Sequence, residues 1–201
     1  MSPPRARLDE SAVVAAAARI ADADGLEAAT LARIAAELGV RPPSLYNHVE
    51  SHAALMRAVA VGAVEELAAA ITGAAVGRAR EDAIRAVAVA YRAYALEHPG
   101  RYAATVRAPE PGDAEAESAA AAAVTPLVAI VAGWGIEGDD AVHLVRVIRS
   151  GLHGFVSIET GGGFGLPLDL DHSFDLLVDS LVAAIAAQAV KASEAAAVAV
   201  P

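Results

Sequence analysis

Alanine sets the first limit on what this chain can fold into. Hydrophobic residues fill 56 % of its 201 positions, and much of that share is alanine. Alanine loses least on entering a helix, while β-branched or aromatic runs with period two, the mark of strands, are scarce. An all-α fold is expected. The length suffices to bury a core without staples. The absence of cysteine excludes disulfides and thiolate chemistry, and a reducing, cytoplasmic setting is expected.

Breakers divide the helices. Residues 10–24 carry Val13, Val14, Ala17, Ile20 and Ala21 at helical spacing, with Asp9 or Ser11 to cap the start and Gly25 as a left-handed stop. Further helices are expected over 51–73, 80–98, just after Pro99, 114–134, 138–160 and 170–190, separated by TGAAVG, HPG, APEPGD, GWGIEG and TGGGFGLPLDL. The tail KASEAAAVAVP is expected to fray. The opening MSPPRARLDE leads into an amphipathic segment and not an apolar leader. Residues 119–136, AAAAAVTPLVAIVAGWGI, are uncharged and nearly long enough to span a bilayer. Pro126, the small alanines and the glycines around Trp134 suit a buried central helix better, so no membrane partner is expected.

Residues 31–49, LARIAAELGVRPPSLYNHV, read as a helix-turn-helix. Thr30 is a good N-cap, and Leu31, Ile34, Ala35 and Leu38 share one face. Gly39 supplies a turn that tolerates positive φ. Arg41 precedes a proline and is expected to be extended. Pro43 suits the first turn of a very short helix running to about His48. Val40 and Leu45 anchor that helix from beneath, which leaves Arg41, Pro43, Ser44, Asn47 and His48 outward. A short exposed helix with small and polar donors suits a major groove. Thr30, Tyr46 and His48 offer donors to phosphates beside it.

Charge alone shows no nucleic-acid footprint. The net charge is −10. Residues 1–57 hold six arginines against seven acids, and the remainder nine basic residues against eighteen acids. The asymmetry suggests two functional parts.

The stretch TLARIAAELGVRPPSLYNHVESHAALMRAVA, residues 30–60, resembles the signature of the TetR family of bacterial transcriptional regulators. The matching elements are the Thr before the second helix, "IA" and "GV" around the turn, and "LY.H" followed by an apolar Leu. Residues 151–164, GLHGFVSIETGGGF, resemble the C-terminal type marked by a Trp and a His-Gly pair. The resemblance implies a three-helix DNA-binding domain over 1–50 and a larger effector-binding and dimerisation domain over 51–201. It places Thr30, Tyr46 and His48 on the DNA backbone, and Arg41, Pro42, Pro43, Ser44 and Asn47 at or near bases. The family's usual Lys at the start of the next helix is His52 here, which implies a weaker or more pH-sensitive phosphate contact. It also implies a homodimer on a palindromic double-stranded operator, released when a small-molecule effector tilts the helix over 51–73.

In the second half, Val142, Val145, Ile148, Leu152 and Phe155 form one stripe, and Phe174, Leu177, Val178, Leu181 and Ile185 another. Two such helices from each chain make a four-helix interface, for which Val145, Ile148, Leu152, Phe155, Phe174, Leu177 and Leu181 are the candidates. An intrachain core would show the same periodicity. His143, Arg146, Ser150, His153 and Ser157 share another face, which could meet solvent, a dimer seam or a pocket. Tyr91, Tyr94 and His98 with Trp134 could line a mostly apolar effector pocket together with His143, Arg146 and His153. Packing in the core is the alternative.

No catalytic set, cofactor site or metal site emerges. Ser150 and His153 have no strand-turn elbow or oxyanion donor. His48 and His52 straddle a helix boundary and lack a third ligand. TGGGFG has no GK[ST] and follows a helix. The expected function is a ligand-responsive, homodimeric DNA-binding repressor. The alternative is a helical ligand-binding or assembly protein whose N-terminal motif only packs, and the exposure of Tyr46 separates the two.

Overall fold

A computed structural model describes the backbone of residues 8–198 and the side chains of residues 8–194. Eight α-helices follow in order: α1 (Glu10–Asp24), α2 (Leu31–Leu38), α3 (His52–Ala75), α4 (Arg80–Glu97), α5 (Pro99–Ala104), α6 (Ala114–Ala132), α7 (Gly138–Thr160) and α8 (Leu170–Val198). Two 3-10 helices, Leu26–Ala28 and Pro42–Asn47, complete the set. No strand occurs among the described residues, as the alanine content requires.

The caps are local and chemical. The Asp9 carboxylate accepts from Ala12 N–H, Thr30 Oγ from Arg33 N–H and Ser51 Oγ from Ala54 N–H, each satisfying one orphan donor of a first turn. Gly25 has φ 89° and ψ 160°, a positive-φ but extended stop where a left-handed one was expected. The helix expected to end at 190 continues through Val198, because alanine carries it through what was read as a frayed tail. The leader reading falls on residues 1–7, outside the described residues.

Two apolar clusters organise the chain. The first joins Val13, Ala16, Ala17 and Ile20 of α1 with Ile34 and Ala35 of α2, Leu45, Val49, and Leu55 and Val59 of α3. The second takes Leu67 and Ile71 of α3 and gathers α4, α5, α6, α7 and α8 around Val87, Val131, Ile148, Leu152 and Ile185. α3 is therefore shared: a boundary at 50/51 would cut Leu55 and Val59 from the core they complete.

α6 is not the buried central helix that its composition suggests. It packs along α3 and buries Ala119, Leu127, Ile130 and Val131, while its other eight alanines are exposed or only partly covered, which small apolar side chains tolerate. Ala114–Ala132 and Leu170–Glu194 are each long and apolar enough to cross a membrane, with 22 % and 28 % of those windows buried within the chain.

Candidate nucleic-acid interface and effector region

Gly39 closes α2 in the left-handed conformation, φ 67° and ψ 30°, and its N–H reaches the carbonyls of Ala35 and Ala36. Arg41 is extended, with φ −86° and ψ 143°. The two prolines then open a 3-10 helix and not an α-turn, with Leu45 fully buried beneath it. Pinned at that point, the segment turns its other side chains outward. Arg41, Pro42, Pro43 and Asn47 are exposed, Ser44 and His48 are half-buried, and Tyr46 is 57 % exposed. The two readings of the motif differ at Tyr46, and its exposure favours DNA binding over packing.

Thr30 is exposed. Its oxygen caps α2 at 3.3 Å from Arg33 N, and the hydroxyl hydrogen remains for a phosphate. His52, also exposed, holds the Ala29 carbonyl through Nε2 at 2.9 Å, so the ring bridges α3 to the residue before Thr30. Arg19, Arg33 and Arg57 are ion-paired, to Glu37, to Asp24, and to Asp113 with Glu115. Among the described residues Arg41 is the arginine of the opening segment with no ion pair, so the free positive charge sits on the outward face of the short helix.

The predicted effector residues do not form one pocket. Tyr91 and Tyr102 are buried, their hydroxyls 3.0 Å apart, and Tyr102 Oη lies 2.6 Å from His153 Nδ1. Burial pushes both phenols above their ordinary pKa. Tyr94 instead donates to the Ala63 carbonyl and lies 3.1 Å from Glu66, and burial followed by the Glu66 charge holds its phenol protonated. His98 accepts from Arg101 at 2.7 Å. Trp134 is partly buried against the second core, while His143 and Arg146 are exposed. An open groove of about 660 Å³ lies between the end of α1 with the turn after it (residues 21–26), α5 and α7, with Asp22, Tyr102, His153 and Ser157 among its lining. A second, of about 800 Å³, lies between α1 and α3.

Sequence reasoning missed the junction between the two cores. Arg101 of α5 donates from its backbone N–H and its Nε to Asp22 of α1, at 2.8 and 2.7 Å, and from a terminal nitrogen to Glu66 of α3 at 2.6 Å. "HPG" signalled a helix start at Pro99 but nothing of what that helix docks on.

The predicted dimer stripe also lands elsewhere. Val145, Ile148, Leu152, Phe174 and Leu181 are all buried in the second core, and Phe155 and Leu177 pack against it partly buried. These side chains are spent within one chain, where α4, α7 and α8 meet, so the intrachain alternative holds for this stripe. The faces left outward carry Val147 and Ile158 of α7 and Leu176 and Val190 of α8.

Comparison with known proteins places this geometry. A family described as bacterial regulatory proteins, tetR family, matches residues 13–59. One described as tetracyclin repressor-like, C-terminal domain, matches residues 84–181. The chain is 37 % identical over 179 residues to the HTH-type transcriptional regulator Rv0681 of Mycobacterium tuberculosis, covering 89 % of this chain and 82 % of that one. A protein from Rhodococcus sp. RHA1 shares the fold at a TM-score of 0.77 and 23 % identity, covering 92 % of this chain and all of that one. So does a TetR variant from Acinetobacter baumannii AYE in complex with minocycline, at a TM-score of 0.70 and 20 % identity, covering 91 % and 99 %.

Proposed function

The chain belongs to the TetR family of transcriptional regulators, and from that premise we propose that it is a homodimeric, ligand-responsive repressor of cytoplasmic double-stranded DNA and not an enzyme. The observation that carries the reading is Tyr46, exposed on a short helix whose Leu45 is fully buried and which Arg41, without an ion pair among the described residues, precedes. A side chain that only packed would not stand out from its own anchor.

In this reading Arg41, Pro42, Pro43, Ser44 and Asn47 approach base edges, and Thr30, Tyr46 and His48 hold phosphates on either side. Pairing through the outward faces of α7 and α8 presents two such helices about 34–36 Å apart, or a multiple of it, to a palindromic operator. On α8, Leu176, Ser180, Ala183, Ala187 and Val190 recur every three or four residues and face outward. Ser180 donates its hydroxyl to the Leu176 carbonyl at 2.8 Å, which leaves little polarity to desolvate at a seam. An apolar effector would favour the arrangement that does not fit DNA and so shift the equilibrium away from the operator. That a structural neighbour is seen in complex with minocycline supports a small-molecule effector.

The test is a fluorescence anisotropy titration with duplex DNA from upstream of the protein's own gene, against a scrambled duplex, at two salt concentrations. Preferential binding that weakens steeply with salt is expected. Equal, weak binding to both duplexes, and to a tiling of the flanking region, would leave the motif a packing element.

A further inference from the structure

The buried tyrosine pair fixes the orientation of a polar chain that ends in the groove between α1, α5 and α7. Tyr91 is buried, and its hydroxyl has the Tyr102 oxygen 3.0 Å away. A buried hydroxyl hydrogen left without an acceptor is costly, so Tyr91 donates to Tyr102. The Tyr102 hydrogen must then go elsewhere; His153 Nδ1 lies 2.6 Å away and the Ser157 hydroxyl is the other partner beside it, and the shorter contact marks Nδ1 as the acceptor. The reverse order, with Nδ1–H donating to Tyr102 and Tyr102 to Tyr91, strands the Tyr91 hydrogen in the core. With Nδ1 as that acceptor, the imidazole carries its hydrogen on Nε2.

His153 and Ser157 both line the groove, and Ser157 Oγ lies 3.3 Å from Nδ1 and 3.4 Å from Nε2. The chain therefore delivers two adjacent donors, His153 Nε2–H and the Ser157 hydroxyl, to the edge of a mostly apolar space. Pro99, Ala103 and Val106 form one wall. Ala21, Ala23 and Leu26, from the end of α1 and the turn after it, form the other. The nearby Asp22 carboxylate is occupied by the Arg101 backbone N–H and Nε, so it does not compete for the donors.

We propose that this groove binds a small molecule with an apolar body and one carbonyl or carboxylate oxygen, the oxygen received by His153 and Ser157. The site rests on the regulator reading only in that it would be where the effector acts: α1 contributes to the first core, α5 and α7 to the second, so a bound molecule touches helices of both.

The test is long-range ¹H–¹⁵N correlation of the histidine rings in the full chain, without DNA, titrated with 2-octanone, octanoate and octane. The free protein should show His153 as the Nε2–H tautomer. 2-Octanone or octanoate should shift the Nε2 resonance, octane should not, and the stronger of the two oxygen probes identifies the head group. Ala103→Trp, which fills the groove at an exposed position, and His153→Phe should each weaken binding about tenfold or more. An Nδ1–H tautomer in the free protein overturns the proposal. So does unchanged affinity in Ala103→Trp, or the absence of binding by both oxygen probes. Because the readout uses no DNA, failure here is distinct from failure to bind an operator.

Discussion

Gly100 stands against Ala21 with no room for a side chain: a Cβ at position 100 would lie 2.0 Å from both the carbonyl carbon and the oxygen of Ala21. The N-terminus of α5 thus rests on the backbone of the last turn of α1, and Arg101 locks the contact through Asp22 and Glu66. An alanine there cannot be absorbed by rotating a side chain, since the obstacle is backbone. Gly100→Ala is expected to separate α5 from α1 at a cost of about 1–3 kcal/mol, the usual range for overpacking. A urea titration would read this as a lower midpoint, and an unchanged midpoint would mean that the two helices are not held together in solution.

Tyr46 and Asn47 are neighbours with different expected duties. Tyr46→Ala should weaken binding to all duplexes by a similar factor, because a phosphate contact carries no sequence information. Asn47→Ala should lower discrimination at one base pair of the half-site, by about 1–3 kcal/mol. Anisotropy against a panel of single-base variants separates the two. A changed sequence preference in Tyr46→Ala would show that the phosphate assignment is wrong.

What the sequence discloses here is local. Thr30, Gly39 and Ser51 act through neighbours within four residues, so their capping roles could be read directly, and so could the breaks at HPG and GWGIEG. The short helix over Pro42–Asn47 ends one residue before the expected His48, but its 3-10 geometry carries no signal in the spacing of apolar residues. The stripes on α7 and α8 were visible, yet periodicity marks a face as apolar without saying what covers it, and here α4 of the same chain does. The Asp22–Arg101 pair spans 79 positions, and no spacing rule reaches that far. The polar stripe of α7 divides for the same reason: His153 meets Tyr102 from α5, while His143 and Arg146 meet no such partner among the described residues and stay exposed.

The outward faces of α7 and α8 give a discriminating pair of variants. Leu176 is 55 % exposed, whereas Ile148 is fully buried. Leu176→Asp is expected to convert the dimer to folded monomers by light scattering at micromolar concentration, since a seam loses roughly tenfold in affinity for each 1.4 kcal/mol. Ile148→Asp is expected to unfold the chain, because it puts a charge into the second core. A Leu176→Asp protein that stays dimeric would move the seam elsewhere.

The ion pair between Arg57 of α3 and Asp113 at the cap of α6 sets the last expectation. The Arg57 hydrogen bond, aided by the Ala116 N–H, pulls the Asp113 carboxyl down to about 2, below the ordinary aspartate value of about 3.9. A carboxyl depressed in the folded state contributes stability that is complete above its unfolded pKa and lost as pH falls through the folded one. The contribution of this pair should therefore be intact above about pH 5 and decline between about pH 4 and 2. Asp113→Asn removes the titration and should flatten the stability profile in that window, while lowering stability at neutral pH. Urea midpoints for both proteins from pH 2 to 7 would show it, and parallel profiles would mean that Arg57 and Asp113 do not pair in solution.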